Sequence, residues 1–316
     1  MTRARAFWTV AAGRGEIREE TLPAPGPGET MLRALASGVS RGTEALVFAG
    51  HVPPEQFDAM RAPLMGGSFP FPVKYGYSIV AERDGGERVF ILHPHQDRFL
   101  APSEMCVPVP DAIPTHRAVL AANMETALNL CWDAVPLAGE RIMVIGAGVV
   151  GLLAASLLAR LPAAEVTVVD VNPARAALAR RLGCAFASPD AAPVDQELVV
   201  HASASEAGLR LALDRAAFEG RIIEASWYGD AAPALPLGSA FHSRRLRLIA
   251  TQVGAVAPPM RGRRTHSERM ATALALLDNS AYDALLDGPT RFDDLPEAMP
   301  GILAPGGLCH IVTYET

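Results

Sequence analysis

The chain has 316 residues, a formal charge of −6 and a pI of about 5.8. At roughly 150 residues per domain it has room for two domains, each able to bury a core. Half of its residues are hydrophobic and only 20% are charged, which excludes a disordered chain, and the acidic balance argues against a protein that coats nucleic acid.

The N-terminal stretch MTRARAFWTVAAGRGE holds three arginines but no apolar core of roughly 7 to 15 residues, so it does not read as a secretory signal. A cytoplasmic location is expected. Cys106, Cys131, Cys184 and Cys309 lie far apart without a CxxC pair, the pattern of reduced, buried thiols and not of a structural zinc cluster. To about residue 120 the chain is punctuated by turns, PAPGPGE, GGSFPFP, HPHQ and PVPDAIP among them. Between these lie short β-like runs at 31–36, 77–81, 88–92 and 104–107, which predict an irregular β-rich domain of the barrel type.

After residue 120 the texture changes. Alanine-rich helical stretches at 118–134, 149–160, 174–182 and 205–218 alternate with apolar strands at 142–145, 166–169, 198–201, 221–225 and 246–250. That alternation means βαβ units and a parallel sheet. The uncharged run of 18 residues between Arg141 and Arg160 has the length of a membrane span, but its β-branched start, three glycines and helical end read as strand, tight turn and helix. No membrane association is expected. A basic loop, APPMRGRRTHSER, follows residue 255, then a helix at 268–278 and a strand-like CHIVTY.

Gly146-Ala147-Gly148-Val149-Val150-Gly151 has the GxGxxG spacing. The first glycine permits the tight turn, the second lets the backbone approach a pyrophosphate, and the third lets helix pack on strand. The phosphates then rest on the amides and the positive dipole end of the helix. A second strand ends in Asp170, 19 residues after Gly151, where a carboxylate accepts from ribose hydroxyls. The same carboxylate repels a 2′-phosphate, so NAD(H) is expected over NADP(H), against which Arg175 and Arg180 weigh.

These pieces together resemble the medium-chain dehydrogenase/reductase superfamily, the relatives of zinc-type alcohol dehydrogenases. The resemblance is carried by SGVSRGTE at 37–44, KYGYSIV at 74–80, GERVF at 86–90, NMETALN at 123–129, VIGAGVVG at 144–151 and VDVNPARAALARRLG at 169–183. The SRGTE stretch is similar to bacteriochlorophyllide dehydrogenase-like members. The resemblance implies an α/β plus β fold, in which a GroES-like catalytic domain (1–121 and the return segment 256–316) carries an inserted Rossmann domain with a doubly wound parallel sheet (122–255). It implies Arg41 on the pyrophosphate, Thr126 near the nicotinamide and Asn172 beside Asp170 on the adenosine side. Ser203 and Ser226 follow later strand ends, where a doubly wound sheet binds ligands.

The departures are chemical. Where zinc members carry a cysteine, a His-Glu pair and a further ligand, this chain has Ser40, Tyr77-Ser78 and Ala122, none of which supplies thiolate, imidazole or carboxylate. The four-cysteine lobe is also missing. No zinc is therefore expected, and hydride transfer needs another proton partner. Tyr77 stands at the position of the missing histidine, and His93, a group that titrates near neutrality, follows the GERVF strand; both are the catalytic candidates. His95 could pair with His93 at a metal, but two imidazoles lack a third ligand, and Glu44 and Glu125 read as helix-terminal charges before cleft carboxylates. The arginine clusters at 244, 245 and 247 and at 261, 263 and 264 read as solvated loops or an anion site, since no aromatic interleaving suggests nucleic acid.

The resulting expectation is a zinc-independent NAD(H)-dependent oxidoreductase acting on a small alcohol or carbonyl compound. An NADPH-dependent quinone or enoyl reductase and a catalytically inactive dinucleotide-binding protein are the alternatives. A homodimer paired through the edge strand near 246–250 is expected from the resemblance.

Overall fold

The computed structural model describes residues 1–315, which divide into two units, 1–122 with 270–315, and 123–269. In the first unit the strands Thr2–Ala11 and Arg14–Leu22 form a hairpin that extends through the short strands Val73–Lys74 and Gly66–Gly67. This hairpin lies outside the β-like runs expected from the sequence. A second sheet is built around the long strand Glu29–Val39, which pairs antiparallel with Ile79–Arg83, Arg98–Pro102 and Cys309–Thr313. The C-terminal CHIVT strand therefore returns to the first unit as expected. Side chains from both sheets, including Phe7, Leu32, Ile79, Ile91, Phe99 and Val312, share one core.

The second unit is a six-stranded parallel sheet. Its spatial order is Ala185–Ala187, Glu165–Val169, Arg141–Ile145, Gln196–His201, Ala216–Glu224 and Arg247–Ala250. Numbered along the chain this is 3-2-1-4-5-6, the Rossmann order. The central strands are buried on both faces, which is why they read as continuous β-branched runs: Ile142, Met143 and Val144 are wholly buried. The 18-residue apolar run resolves into strand Arg141–Ile145, the glycine loop and helix Val149–Leu158. Among the described residues no helix is long and apolar enough to cross a membrane.

The nucleotide-type unit keeps the basic loop, so the return segment begins at Met270 and not at 256. The reason is Arg269, whose side chain is 2% exposed. It donates to Glu125 Oε1 (3.0 Å), Asn129 Oδ1 (2.6 Å) and the carbonyls of Val253 (2.6 Å) and Ala255 (3.1 Å). One guanidinium thus ties the loop to helix Ala121–Ala134. The helix expected over 118–134 is interrupted, giving Thr115–Ala118 and Ala121–Ala134. The β-like run at 104–107 is largely a short 3₁₀ turn, Ser103–Met105, followed by Val107–Pro108. The Cys106 N–H closes the turn on the Ser103 carbonyl at 3.2 Å and the Ser103 N–H goes to Gly28 O at 2.8 Å, so neither donor is left for a ladder.

Candidate functional site

At the end of strand Arg141–Ile145 each glycine of the loop meets a separate constraint. Gly146 has φ +106°, and a Cβ there would lie 2.8 Å from the carbonyl of Ala202. A Cβ on Gly151 would lie 2.0 Å from the Gly146 oxygen, whereas around Gly148 there is nothing within 4 Å. Turn, packing and open approach are thus divided among the three positions as their spacing suggests. No side chain caps helix Val149–Leu158 at Gly148, so its first amides, those of Val149, Val150 and Gly151 included, face the open side of the loop, where an anion is favoured.

Asp170 is held by two backbone donors. Its Oδ2 accepts from Ala147 N (2.6 Å) and its Oδ1 from Asn172 N (2.8 Å). This pins the carboxylate beside the glycine loop with lone pairs left over for ribose hydroxyls. The Asn172 side chain caps the next turn, accepting from Ala174 N at 3.0 Å. These residues fit a nicotinamide dinucleotide: helix amides for the pyrophosphate and an aspartate for a ribose diol.

On the other side of the topological switch point, between Arg141–Ile145 and Gln196–His201, lies a polar network that sequence reading did not assemble. His201, fully buried, has Nδ1 2.7 Å from Glu224 Oε2 and Nε2 2.7 Å from Ser203 Oγ. Ser203 reaches Ser205 at 2.8 Å, and Ser205 caps helix Glu206–Arg215 by accepting from Gly208 N. Glu224 also accepts from Ser226 N (2.7 Å) and the Tyr228 hydroxyl (3.2 Å), while Ser226 Oγ accepts from Ala204 N (3.0 Å). Burial and the Glu224 charge push the Tyr228 phenol up, so it remains a donor. Ser203 and Ser226 were expected on their position alone; the His201–Glu224 pair could be found only from strand register, which sets the two opposite each other.

In the first unit Ser40 precedes helix Arg41–Ala49, and its backbone N–H donates to Glu44 Oε1 (2.7 Å). Glu44 Oε2 faces His95 Nε2 at 2.9 Å, His95 Nδ1 meets Ser37 Oγ at 2.7 Å, and Ser37 meets the Tyr314 hydroxyl at 2.8 Å. Ser37 and His95 are both 0% exposed, so this chain braces the core and offers no nucleophile to solvent. The Tyr77 hydroxyl bonds Ser40 and Thr43, and burial together with the Glu44 charge pushes its pKa up to about 12. Such a phenol serves as a hydrogen-bond donor and is a weak proton donor at neutral pH.

Two expectations change. His93 stacks on Phe99 with ring centroids 3.8 Å apart, and its Nδ1 donates to the Pro94 carbonyl at 2.8 Å. Burial lowers its pKa to about 3, which removes the reason for choosing it: as placed it is a neutral core histidine. Arg41 is turned to another task than a pyrophosphate. Its guanidinium donates to the carbonyls of Ile302 (2.9 Å), Leu303 (3.1 Å), Ala304 and Gly307 (2.6 Å), at the negative end of helix Leu295–Leu303. Arg41→Ala is accordingly expected to lower stability by about 1–3 kcal/mol in thermal denaturation and to leave NADH affinity unchanged. A tenfold or greater loss of affinity would restore its phosphate role. Thr126, in contrast to its buried neighbours in helix Ala121–Ala134, is partly exposed.

Zinc does not fit. Ser40 and Tyr77, at two positions where the resemblance places ligands, are hydrogen-bonded to one another, and Ala122 carries no donor atom. Among the described residues no group of three or more His, Cys, Asp or Glu side chains is placed to hold a metal ion.

The fold and the glycine loop together define a two-unit protein, GroES-like and Rossmann, with a dinucleotide cradle. Comparison with known proteins agrees. Residues 121–210 match the alanine dehydrogenase/PNT C-terminal domain. L-threonine 3-dehydrogenase of Rhizobium rhizogenes is 38% identical over 84 residues, 26% of this chain and 24% of that protein. An uncharacterized zinc-type alcohol dehydrogenase-like protein of Haemophilus influenzae is 30% identical over 46% of this chain and 43% of its own length. The matches thus span less than half of these curated relatives. L-idonate 5-dehydrogenase of Escherichia coli superposes with a TM-score of 0.81 at 15% identity, covering 99% of this chain and 98% of that one. The resemblance to the medium-chain dehydrogenase/reductases stands, and the fold is theirs.

Proposed function

We propose that this protein is a zinc-independent oxidoreductase that uses NAD(H) to interconvert a small alcohol and its carbonyl compound. The observation that carries this reading is the Asp170 carboxylate fixed beside an open glycine loop, a site shaped for a ribose diol and hostile to a 2′-phosphate. Zinc independence is supported by the hydroxyl pair Ser40–Tyr77 at the expected ligand positions. When bound, the dinucleotide supplies the hydride chemistry; the chain binds it, orients it and moves the proton. A cytoplasmic homodimer paired through the edge strand Arg247–Ala250 belongs to the same proposal.

Asp170→Ala is expected to weaken NADH roughly tenfold to a hundredfold, the loss of one or two charge-assisted hydrogen bonds. The change is read from Trp227 emission. Unchanged affinity would remove the basis for NAD preference. A second reading, an NADPH-linked quinone or enoyl reductase, is favoured by Arg175 in the turn directly after Asp170. Turnover of a panel of aldehydes, ketones, quinones and enones by chelator-treated protein with each reduced dinucleotide separates the two. Turnover of any member also excludes the catalytically inactive alternative.

A further inference from the structure

The polar network at the carboxyl ends of strands Gln196–His201 and Ala216–Glu224 has a direction that can be worked out from its donors. Glu224 receives the Ser226 N–H and the Tyr228 hydroxyl, the arrangement of an ionised carboxylate that can only accept. His201 Nδ1 must therefore carry a proton and donate it to Glu224. At the other end Gly208 N–H donates to Ser205 Oγ. The Ser205 hydroxyl can then donate to Ser203 Oγ and the Ser203 hydroxyl to His201 Nε2. Every donor has an acceptor when the imidazole is neutral, and reversing the serine hydroxyls accommodates an imidazolium without moving a heavy atom. The groups facing the ring are Glu224, the hydroxyls of Ser203, Ser226 and Tyr228, and the backbone of Gly208, where a Cβ would come within 2.8 Å of Nε2. Glu224 is the charged one among them.

The position is equally specific. His201 pairs in register with Ile145, the residue before the glycine loop, so the network borders the switch point where a doubly wound sheet binds its dinucleotide. Asp170 marks the adenosine half over the first and second strands. The nicotinamide half then lies over the fourth and fifth, which end in His201 and Glu224. Ser203 is partly exposed at this edge while His201 is sealed behind it.

We propose that Glu224, His201 and Ser203 form a proton relay at the nicotinamide half of the site, with Ser203 Oγ as the group that meets the substrate oxygen. This rests on the dinucleotide-dependent reading above. In the oxidising direction the alcohol O–H bond breaks, its proton passes to Ser203 Oγ and the Ser203 proton passes to His201 Nε2. The carbinol C–H hydrogen leaves with two electrons to the oxidised nicotinamide dinucleotide, and a carbonyl product and an imidazolium result. Reduction returns both. Ser203 is the catalytic residue; His201 and Glu224 are positioning residues that store the proton behind it.

The test is histidine-selective NMR of the intact protein in three states, alone, with NAD⁺ and with NADH, binding being followed in parallel by Trp227 emission. His201→Gln identifies the His201 resonance, and Ser203→Ala identifies it independently should the first variant not fold. The ring nitrogens of His201 are bonded to Glu224 and Ser203, so a relay that answers to the charge of the nicotinamide should give His201 ring signals that differ between the NAD⁺ and NADH states. A histidine that only braces the fold keeps the same ring signals in both. On the carbonyl compound that the panel identifies, His201→Gln should lose roughly 10²–10⁴-fold in kcat with unchanged NADH affinity. Nucleotide binding with an unmoved His201 signal overturns the relay alone. Failure of both dinucleotides to bind overturns the dinucleotide reading and the relay with it.

Discussion

Gly148→Ala should abolish tight NADH binding while leaving the melting temperature unchanged, whereas Gly151→Ala should damage both. At Gly148 the backbone is in an ordinary extended conformation, φ −76° and ψ 178°, and an added Cβ meets no atom within 4 Å. The folded protein tolerates it. The same Cβ fills the space through which a pyrophosphate approaches the loop. At Gly151 the added Cβ would lie 2.0 Å from the carbonyl oxygen of Gly146, a backbone atom with no rotamer to yield. Helix propensity alone favours alanine over glycine by about 1 kcal/mol, so a loss of stability at this position reverses the usual sign. Overpacking costs about 1–3 kcal/mol, and the displaced loop no longer presents its amides to phosphate. Calorimetric NADH titration beside thermal denaturation separates the two variants. A Gly151→Ala protein that is more stable and binds normally would refute this account of the loop.

The second large effect belongs to Arg269. Its guanidinium, buried with Glu125 and Asn129 and bonded to two loop carbonyls, leaves an uncompensated carboxylate when removed. Arg269→Met is expected to cost about 3–5 kcal/mol, the range for breaking a buried pair. Replacing both partners, Arg269→Met with Glu125→Leu, should recover much of it. Burial already raises the Glu125 pKa, with Arg269 pulling it back down. Without the arginine it rises further. A carboxyl whose folded pKa is raised binds its proton more readily when folded, so its charged form is a burden that disappears on acidification. The stability deficit of Arg269→Met should therefore shrink as pH falls from 7 towards the Glu125 titration, measured by denaturant unfolding across pH. A deficit independent of pH would show that Glu125 does not pay the desolvation cost.

Local pattern made much of the nucleotide-binding unit legible. The β-branched runs, three glycines and Asp170 lie within 30 residues of one another, and each constraint acts within a turn or one strand pair. What escaped was long-range or orientational. His201 and Glu224 meet only through the register of parallel strands, and HASAS read alone shows only a strand followed by small polar residues. The resemblance places Arg41 by position alone, but the carbonyl cluster that holds it comes from residues 302–307, beyond the reach of any local motif. His93 has the right side chain for acid–base chemistry, and burial against Phe99 takes its charge away. Arg269 stood beside a visibly basic loop, where exposure is the usual state of arginine; only the convergence of helix and loop on one guanidinium shows it as core.

The most direct test is calorimetric titration of chelator-treated protein, its metal content verified, with NADH and with NADPH in turn. NADH is expected to bind without metal and more tightly than NADPH, since the fixed Asp170 carboxylate repels a 2′-phosphate. Binding that appears only after zinc is restored, or a preference for NADPH, would contradict it.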